Sequence, residues 1–286
     1  MKKVKLFIFI SVLISLFIFS LNVFSQEVGM GLQFSNPEDL EKANKYEGGF
    51  RGEIPKRLDF SKYMPPVMNQ GSQNSCVGFS VSYYTLSYLV FSYDDNAYYT
   101  ETGTLDYSKV FSPAFIYNIA NGGQNYGIRF IDAFEILAQT GCARWKTFPY
   151  RESDYITYPH DSCFYDAMNY IVDYTRFLVF YYIDVQLFKE AMNEYQRPIN
   201  IGAAIDKSLI KDGYSYYNGG KKGNFIWKKY KDNVTGGHAL TIVGYDDNIG
   251  AFKIINSWGT NWGEDGYFWI DYDFVPYCVK EAYIIY

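Results

Sequence analysis

Apolar positions change period along this chain. From Cys76 they recur at Phe79, Tyr83, Leu86 and Val90, the stripe of an amphipathic helix. Ser75, just before that run, is a candidate N-cap. Ser112-Pro113 opens a second helix, which Asn121-Gly122-Gly123 should end. A third is expected over 129–139, with Ile131, Phe134 and Leu137 on one face and Gly141 as its stop. Then β-branched runs take over. Residues 177–183 read as a strand, 186–195 as a helix, and 199–205 as a strand after Pro198. Residues 206–235 read as a long Gly, Tyr and Lys loop with a short pairing near 225–229. Strands follow at 238–245, 252–256, 266–271 and 282–286. Helices first and strands later predict an α+β chain.

The start has another character. Lys2, Lys3 and Lys5 precede an apolar run from Leu6 to about Leu21, and Ser25 offers a small residue for cleavage. This predicts a secretory signal peptide over 1–25, with an uncleaved anchor as the alternative. Its removal would take the net charge from −5 to −8. An exported acidic chain without a basic stripe is not expected to bind nucleic acid. Residues 26–52 are polar and read as a linker or a very short pro-segment, with a helix opening at Pro37-Glu38-Asp39. One domain is expected over 53–286, as a monomer with no stable membrane span after cleavage.

The four cysteines are Cys76, Cys142, Cys163 and Cys278. With Cys76 kept free, three remain, and a Cys142–Cys163 disulfide is the expected pairing in an oxidising compartment. Metal-ligand spacings of the CxxC or HxxxH kind are absent, so no metal or other cofactor is expected.

The candidate chemistry is thiol chemistry. Cys76 stands where a glycine-containing loop enters a helix, a position that favours the thiolate. Such a nucleophile needs a base, and histidine suits that task near neutral pH. Of the two histidines, His160 lies in a polar Tyr-Pro-His-Asp loop and is expected to face solvent. His238 follows Gly236-Gly237 at the beginning of an expected strand. Asn256-Ser257-Trp258-Gly259-Thr260-Asn261-Trp262-Gly263 supplies an amide that can orient an imidazole and an indole that can cover it.

Three blocks carry a resemblance to papain-like cysteine peptidases: Asn69-Gln70-Gly71 with Ser75-Cys76 and Phe79-Ser80, then Gly237-His238-Ala239, then the Asn256 block. Ile54-Pro55 through Asp59-Phe60 resembles the start of that family's mature domain, with Phe60 in a tryptophan's place. His238 and Asn256 follow Cys76 by 162 and 180 residues, against about 130–150 in the family signature. The excess fits the polar loops at 94–108 and 206–235. Val77, Gly78, Gln73 and Ala120 depart from the family's usual residues.

The resemblance implies a two-lobed fold, a helical lobe against a β-barrel-like lobe with a cleft between. It implies a Cys76 thiolate and His238 imidazolium that hydrolyse peptide bonds through an acyl-enzyme. Asn256 would orient His238, and Trp258 would shield the pair. Gln70 would donate to the oxyanion. Gly122 and Gly123 would pair with extended substrate, and Gly202 and Ala239 would line a second subsite. Its implied partner is a peptide or protein substrate. Two alternatives stay open: a catalytically silent binding relative, and a thiol acyltransferase or amidase on the same fold.

Overall fold

The computed structural model describes residues 28–92 and 97–286. The expected leader lies outside them. Among the described residues nine strands form one mixed sheet. They are β1 Lys45–Tyr46, β2 Arg57–Asp59, β3 Phe177–Phe180, β4 Ile199–Asp206, β5 Ile226–Trp227, β6 Val234–Asp246, β7 Ala251–Ile255, β8 Tyr267–Asp271 and β9 Val279–Ile285. Their order is β1-β3-β9-β4-β6-β7-β8-β5, with β2 added on β6. This path has two ends, so the barrel-like lobe is an open, curled sheet.

β4 is central and buried along its whole length, which is why it reads as a near-continuous apolar run. It pairs antiparallel with β6, placing Asn200 opposite Thr241, Gly202 opposite Ala239 and Ala203 opposite His238. β6 begins at Val234, so His238 stands inside a strand rather than at its beginning.

The other lobe is helical. The helix that starts at Cys76 runs to Phe91, but not as one regular α-helix: Phe79–Leu86 is π-helical. Apolar positions counted at α-helical spacing therefore do not all share one face. Phe79, Tyr83 and Tyr84 enter the core shared with the sheet, while Cys76, Val77, Val81 and Leu86 enter the core of the helical lobe. This helix thus joins two cores. Ser75 does not cap it; its hydroxyl meets Tyr150 Oη at 3.0 Å instead.

Other boundaries follow local chemistry. Ser112 Oγ accepts from Phe115 N at 3.2 Å and caps the helix Pro113–Ala120. Gly141, at φ 76°, ends Phe130–Thr140 in a conformation that glycine tolerates.

Two further expectations are corrected. Within 206–235, residues Lys207–Asn218 are a helix rather than a loop. Asp206 caps it through Leu209 N, and Gly213 lets the Trp262 ring approach to where a Cβ would stand 2.1 Å away. The Cys142–Cys163 disulfide is not formed; all four cysteines are free. Each thiol faces its own partners: Cys142 Sγ the carbonyl of Ser112 at 3.6 Å, and Cys163 Sγ that of Thr147 at 3.7 Å.

Candidate active site

The site forms where the helix beginning at Cys76 meets β6. The backbone N–H of Ala239 donates to Cys76 Sγ at 3.4 Å across 163 residues of sequence. That contact brings the sulfur beside the residue that follows His238. On the far side of the imidazole, Nε2 and Asn256 Oδ1 are 2.8 Å apart. Asn256 Oδ1 also accepts from Ser257 N at 2.8 Å, so the amide oxygen is aimed from two directions. An amide oxygen accepts, so Nε2 carries the proton and Nδ1 is left as the basic nitrogen. Nδ1 has no hydrogen-bond partner among the described residues. The Trp258 ring stacks on the imidazole with centroids 4.5 Å apart and planes at 21°.

Gln70 lies alongside. Its backbone N–H donates to Ser257 O at 2.8 Å, and its Oε1 accepts from Ser257 Oγ at 2.5 Å. These contacts fix the side chain next to the Asn256 block. Its Nε2 donates to the carbonyl of Gln73 at 2.7 Å.

Cys76 and His238 are both fully buried. What covers them was not foreseen: the segment of residues 29–33 threads the site. Gly29 N donates to Gly71 O at 2.7 Å, and Trp258 Nε1 donates to Gly29 O at 3.1 Å. Met30 N donates to Asn74 Oδ1 at 3.0 Å. Leu32 N donates to Gly237 O at 3.2 Å, one residue before His238. On the other side Ile128 N donates to Gly31 O at 2.9 Å and Gln33 N to Ile128 O at 3.1 Å. The segment is therefore bonded on both flanks like an added strand. Its glycines are needed for this: a Cβ at Gly29 would lie 2.0 Å from Gln73 O, and one at Gly31 2.4 Å from Asn74.

The Leu32 side chain fills a pocket. It packs in the same buried cluster as Cys76, Ile128 and Ala239. Its Cδ2 comes so near Gly202 that a Cβ there would lie 2.6 Å away. The Glu281 carboxylate flanks the same point, with Oε1 3.0 Å from it and without a hydrogen-bond partner. Glu281 Oε2 accepts from Ser35 N at 3.2 Å and from Tyr283 Oη at 2.8 Å.

Gly202 and Ala239 therefore do border one pocket. Gly122 and Gly123 do not pair with the threaded segment: both are exposed, with open space around them. The pairing edge lies at Gly127-Ile128, where a Cβ on Gly127 would strike Gly31 O at 1.7 Å. A second glycine four residues beyond a Gly-Gly pair was the available signal. Ile128 and Glu281 carried none. His160 is exposed, as its loop suggested.

The cover sets the electrostatics. Burial pushes the Cys76 thiol up to about 12, outweighing the backbone N–H groups around the sulfur. Burial pulls His238 down to about 4, against the opposing bond to Asn256. In this covered form the pair is a neutral thiol and a neutral imidazole. No group of acidic, His or Cys side chains able to hold a metal ion occurs among the described residues.

Residues 54–286 match the model of the papain family of cysteine proteases. The chain belongs to that family. Cathepsin B-like CP2 of Giardia intestinalis is 24% identical over 76% of this chain and 69% of its own length. Pro-cathepsin H of Mus musculus is 26% identical over 88% of this chain and 72% of its own. Among solved structures, xylellain, a cysteine protease from Xylella fastidiosa, superposes with TM-score 0.71 at 22% identity. The match covers 91% of this chain and 96% of that one. Digestive procathepsin L2 from Tenebrio molitor larval midgut gives TM-score 0.65 at 19% identity, over 91% and 78%. The papain-like α+β fold and the class of cysteine-type peptidase follow. No helix among the described residues is long and apolar enough to cross a membrane.

Proposed function

We propose that this family member is an exported cysteine peptidase that acts on peptides or proteins and is held latent by its own residues 28–35. The carrying observation is the Ala239 N to Cys76 Sγ contact, with His238 fixed by Asn256 beside it. Once uncovered, the two groups regain water and can exchange a proton to become thiolate and imidazolium. The thiolate attacks the peptide carbonyl, and His238 returns the proton to the leaving amine. The acyl-enzyme is then hydrolysed by water that His238 activates. Gln70 Nε2, released from its local acceptor, and the Cys76 N–H serve the oxyanion.

Latency rests on the direction of the cover. A substrate with its amino side in the Gly202–Ala239 pocket runs from there toward Trp258. The covering segment runs the other way, from Gly29 at Trp258 to Leu32 at Gly202. It can occupy the cleft without presenting a peptide bond in the reactive orientation. The Leu32 pocket then serves as the second subsite, and the free Glu281 oxygen at its wall suits a side chain that is apolar along its stem and cationic at its tip. Residues 1–25 act as the export signal, the domain begins near residue 53, and the working form is a monomer.

The deciding experiment compares the wild type with Cys76→Ala on a diverse peptide library under reducing conditions. Turnover by the wild type alone is expected; equal turnover by both removes Cys76 from the reaction.

A further inference from the structure

The peptidase chemistry places Cys76 on a helix and His238 on a strand, and nothing in that chemistry says what keeps the two elements in register. A buried polar cluster lies beneath them. Ser80, one helical turn after Cys76, donates from Oγ to the carbonyl of Leu240 at 3.0 Å and lies 2.9 Å from Thr241 Oγ1. Asn200 Nδ2, on β4 directly opposite Thr241, reaches Ser80 O at 3.0 Å, Ser80 Oγ at 2.8 Å and Thr85 Oγ1 at 2.8 Å. All four side chains are buried. With the Ser80 hydroxyl donating to Leu240 O, Thr241 Oγ1 is free to donate to Ser80 Oγ.

The cluster sits where the helix is irregular. Ser80 and Thr85 both belong to the π-helical stretch Phe79–Leu86. A widened turn exposes backbone acceptors that a regular α-helix would satisfy itself. Here the Ser80 carbonyl takes a donor from β4. A buried polar set costs free energy, the more so here because Asn200 Oδ1 has no hydrogen-bond partner among the described residues, and apolar packing alone would have joined these elements. Unlike apolar packing, the bonds are directional and fix a register. They lie four residues from Cys76 and two to three residues from His238.

We propose that Asn200, Ser80 and Thr241 are positioning residues that set the approach of the Cys76 sulfur to the His238 imidazole when the cleft opens. This rests on the peptidase reading for its consequence, though not for its test. None of the three touches the reacting atoms.

The test uses the full chain carrying Leu32→Ala to loosen the cover, with Thr241→Val, Thr241→Ser, Ser80→Ala and Asn200→Ser added singly. Iodoacetamide alkylation of Cys76, followed by peptide mass, is read against pH from 4 to 10. An ion-paired thiolate alkylates on a limb well below the usual thiol value of about 8.5. The proposal expects Thr241→Val and Ser80→Ala to move that limb toward the ordinary thiol range. It expects kcat on a peptide substrate to fall about tenfold or more with KM little changed. Thr241→Ser, which keeps the hydroxyl, should restore both. A purely structural cluster would lower Tm and leave the limb in place, and that result in Thr241→Val and Ser80→Ala overturns the proposal. Absence of peptide turnover in the parent chain, with a low-pH limb that these variants shift, would instead remove only the peptidase reading.

Discussion

The backbone N–H of Leu32 is hydrogen-bonded to the carbonyl of Gly237, at 3.2 Å and one residue from His238. The same residue buries its side chain against Gly202, Ala239 and Glu281. A residue far from the Cys76, His238 and Asn256 motifs in sequence thus fills the pocket proposed as the second subsite. Burying a leucine is worth roughly 1.5–3 kcal/mol. Leu32→Ala should therefore raise the initial rate on a small peptide substrate, on the order of tenfold to a hundredfold, provided the cover limits access. Rates equal to the wild type would show that residues 28–35 do not restrain the enzyme.

Latency should depend on pH, and the sign follows from His238. In the covered form its pKa is pulled down to about 4 from 6.5. In Cys76→Ala, where no thiolate can hold the ring charged, the uncovered imidazole binds a proton that the covered form refuses, so acid favours opening. The covered form is unaffected by this group above about 6.5 and loses stability as pH falls from there toward 4. Glu281 acts in the opposite sense: burial raises its pKa, so protonation favours the covered form. The His238 shift is the larger. In Cys76→Ala, proteolytic nicking of residues 28–35 by an added protease should accelerate as pH drops through 6.5. Adding His238→Gln to that protein should flatten the response, and an unchanged response in the double variant would assign acid sensitivity to other groups.

The 2.8 Å contact between His238 Nε2 and Asn256 Oδ1 leaves Nδ1 as the basic nitrogen. A hydrogen bond to a charged group contributes about 1.5–3 kcal/mol. Asn256→Ala should lower kcat/KM about tenfold to a hundredfold, mostly in kcat, measured on a fluorogenic peptide. A loss confined to KM would assign Asn256 to substrate binding.

Gln70 should behave as a donor to developing charge. Its removal should cost on the order of 100- to 1000-fold in kcat. Gln70→Ala also breaks the bonds to Ser257 and Gln73, so Tm must be followed beside kcat. Full activity in a folded Gln70→Ala protein would exclude it from oxyanion stabilisation.

Glu281 Oε1, unpartnered at the wall of the Leu32 pocket, should discriminate between substrates. Peptides with arginine two residues before the cleaved bond should lose about tenfold or more in kcat/KM on Glu281→Gln, relative to leucine peptides. Taking the ratio on one protein cancels any change in how often the cover is seated. An unchanged ratio would assign Glu281 to anchoring Ser35 alone.

Local chemistry in the sequence determined much of this protein. Loop, cysteine and helix stood together from Gln70 onward, the Asn256 block carried its own spacing, and Ser112-Pro113 and Gly141 marked helix ends. Such features depend on neighbours within a few residues, so they are legible along the chain. The helix Lys207–Asn218 was not, because its tyrosines, lysines and Gly213 read as loop until Trp262 packs against that glycine. The π-helical turns after Cys76 were hidden for the same reason: their acceptors are satisfied by Asn200 from a distant strand. Only the tertiary structure decided that Gly127-Ile128 is the pairing edge, that Glu281 borders the pocket, and that residues 29–33 lie over the thiol. Each of these is a contact between segments far apart in sequence, fixed by close packing and shared hydrogen bonds rather than by any residue's own preference.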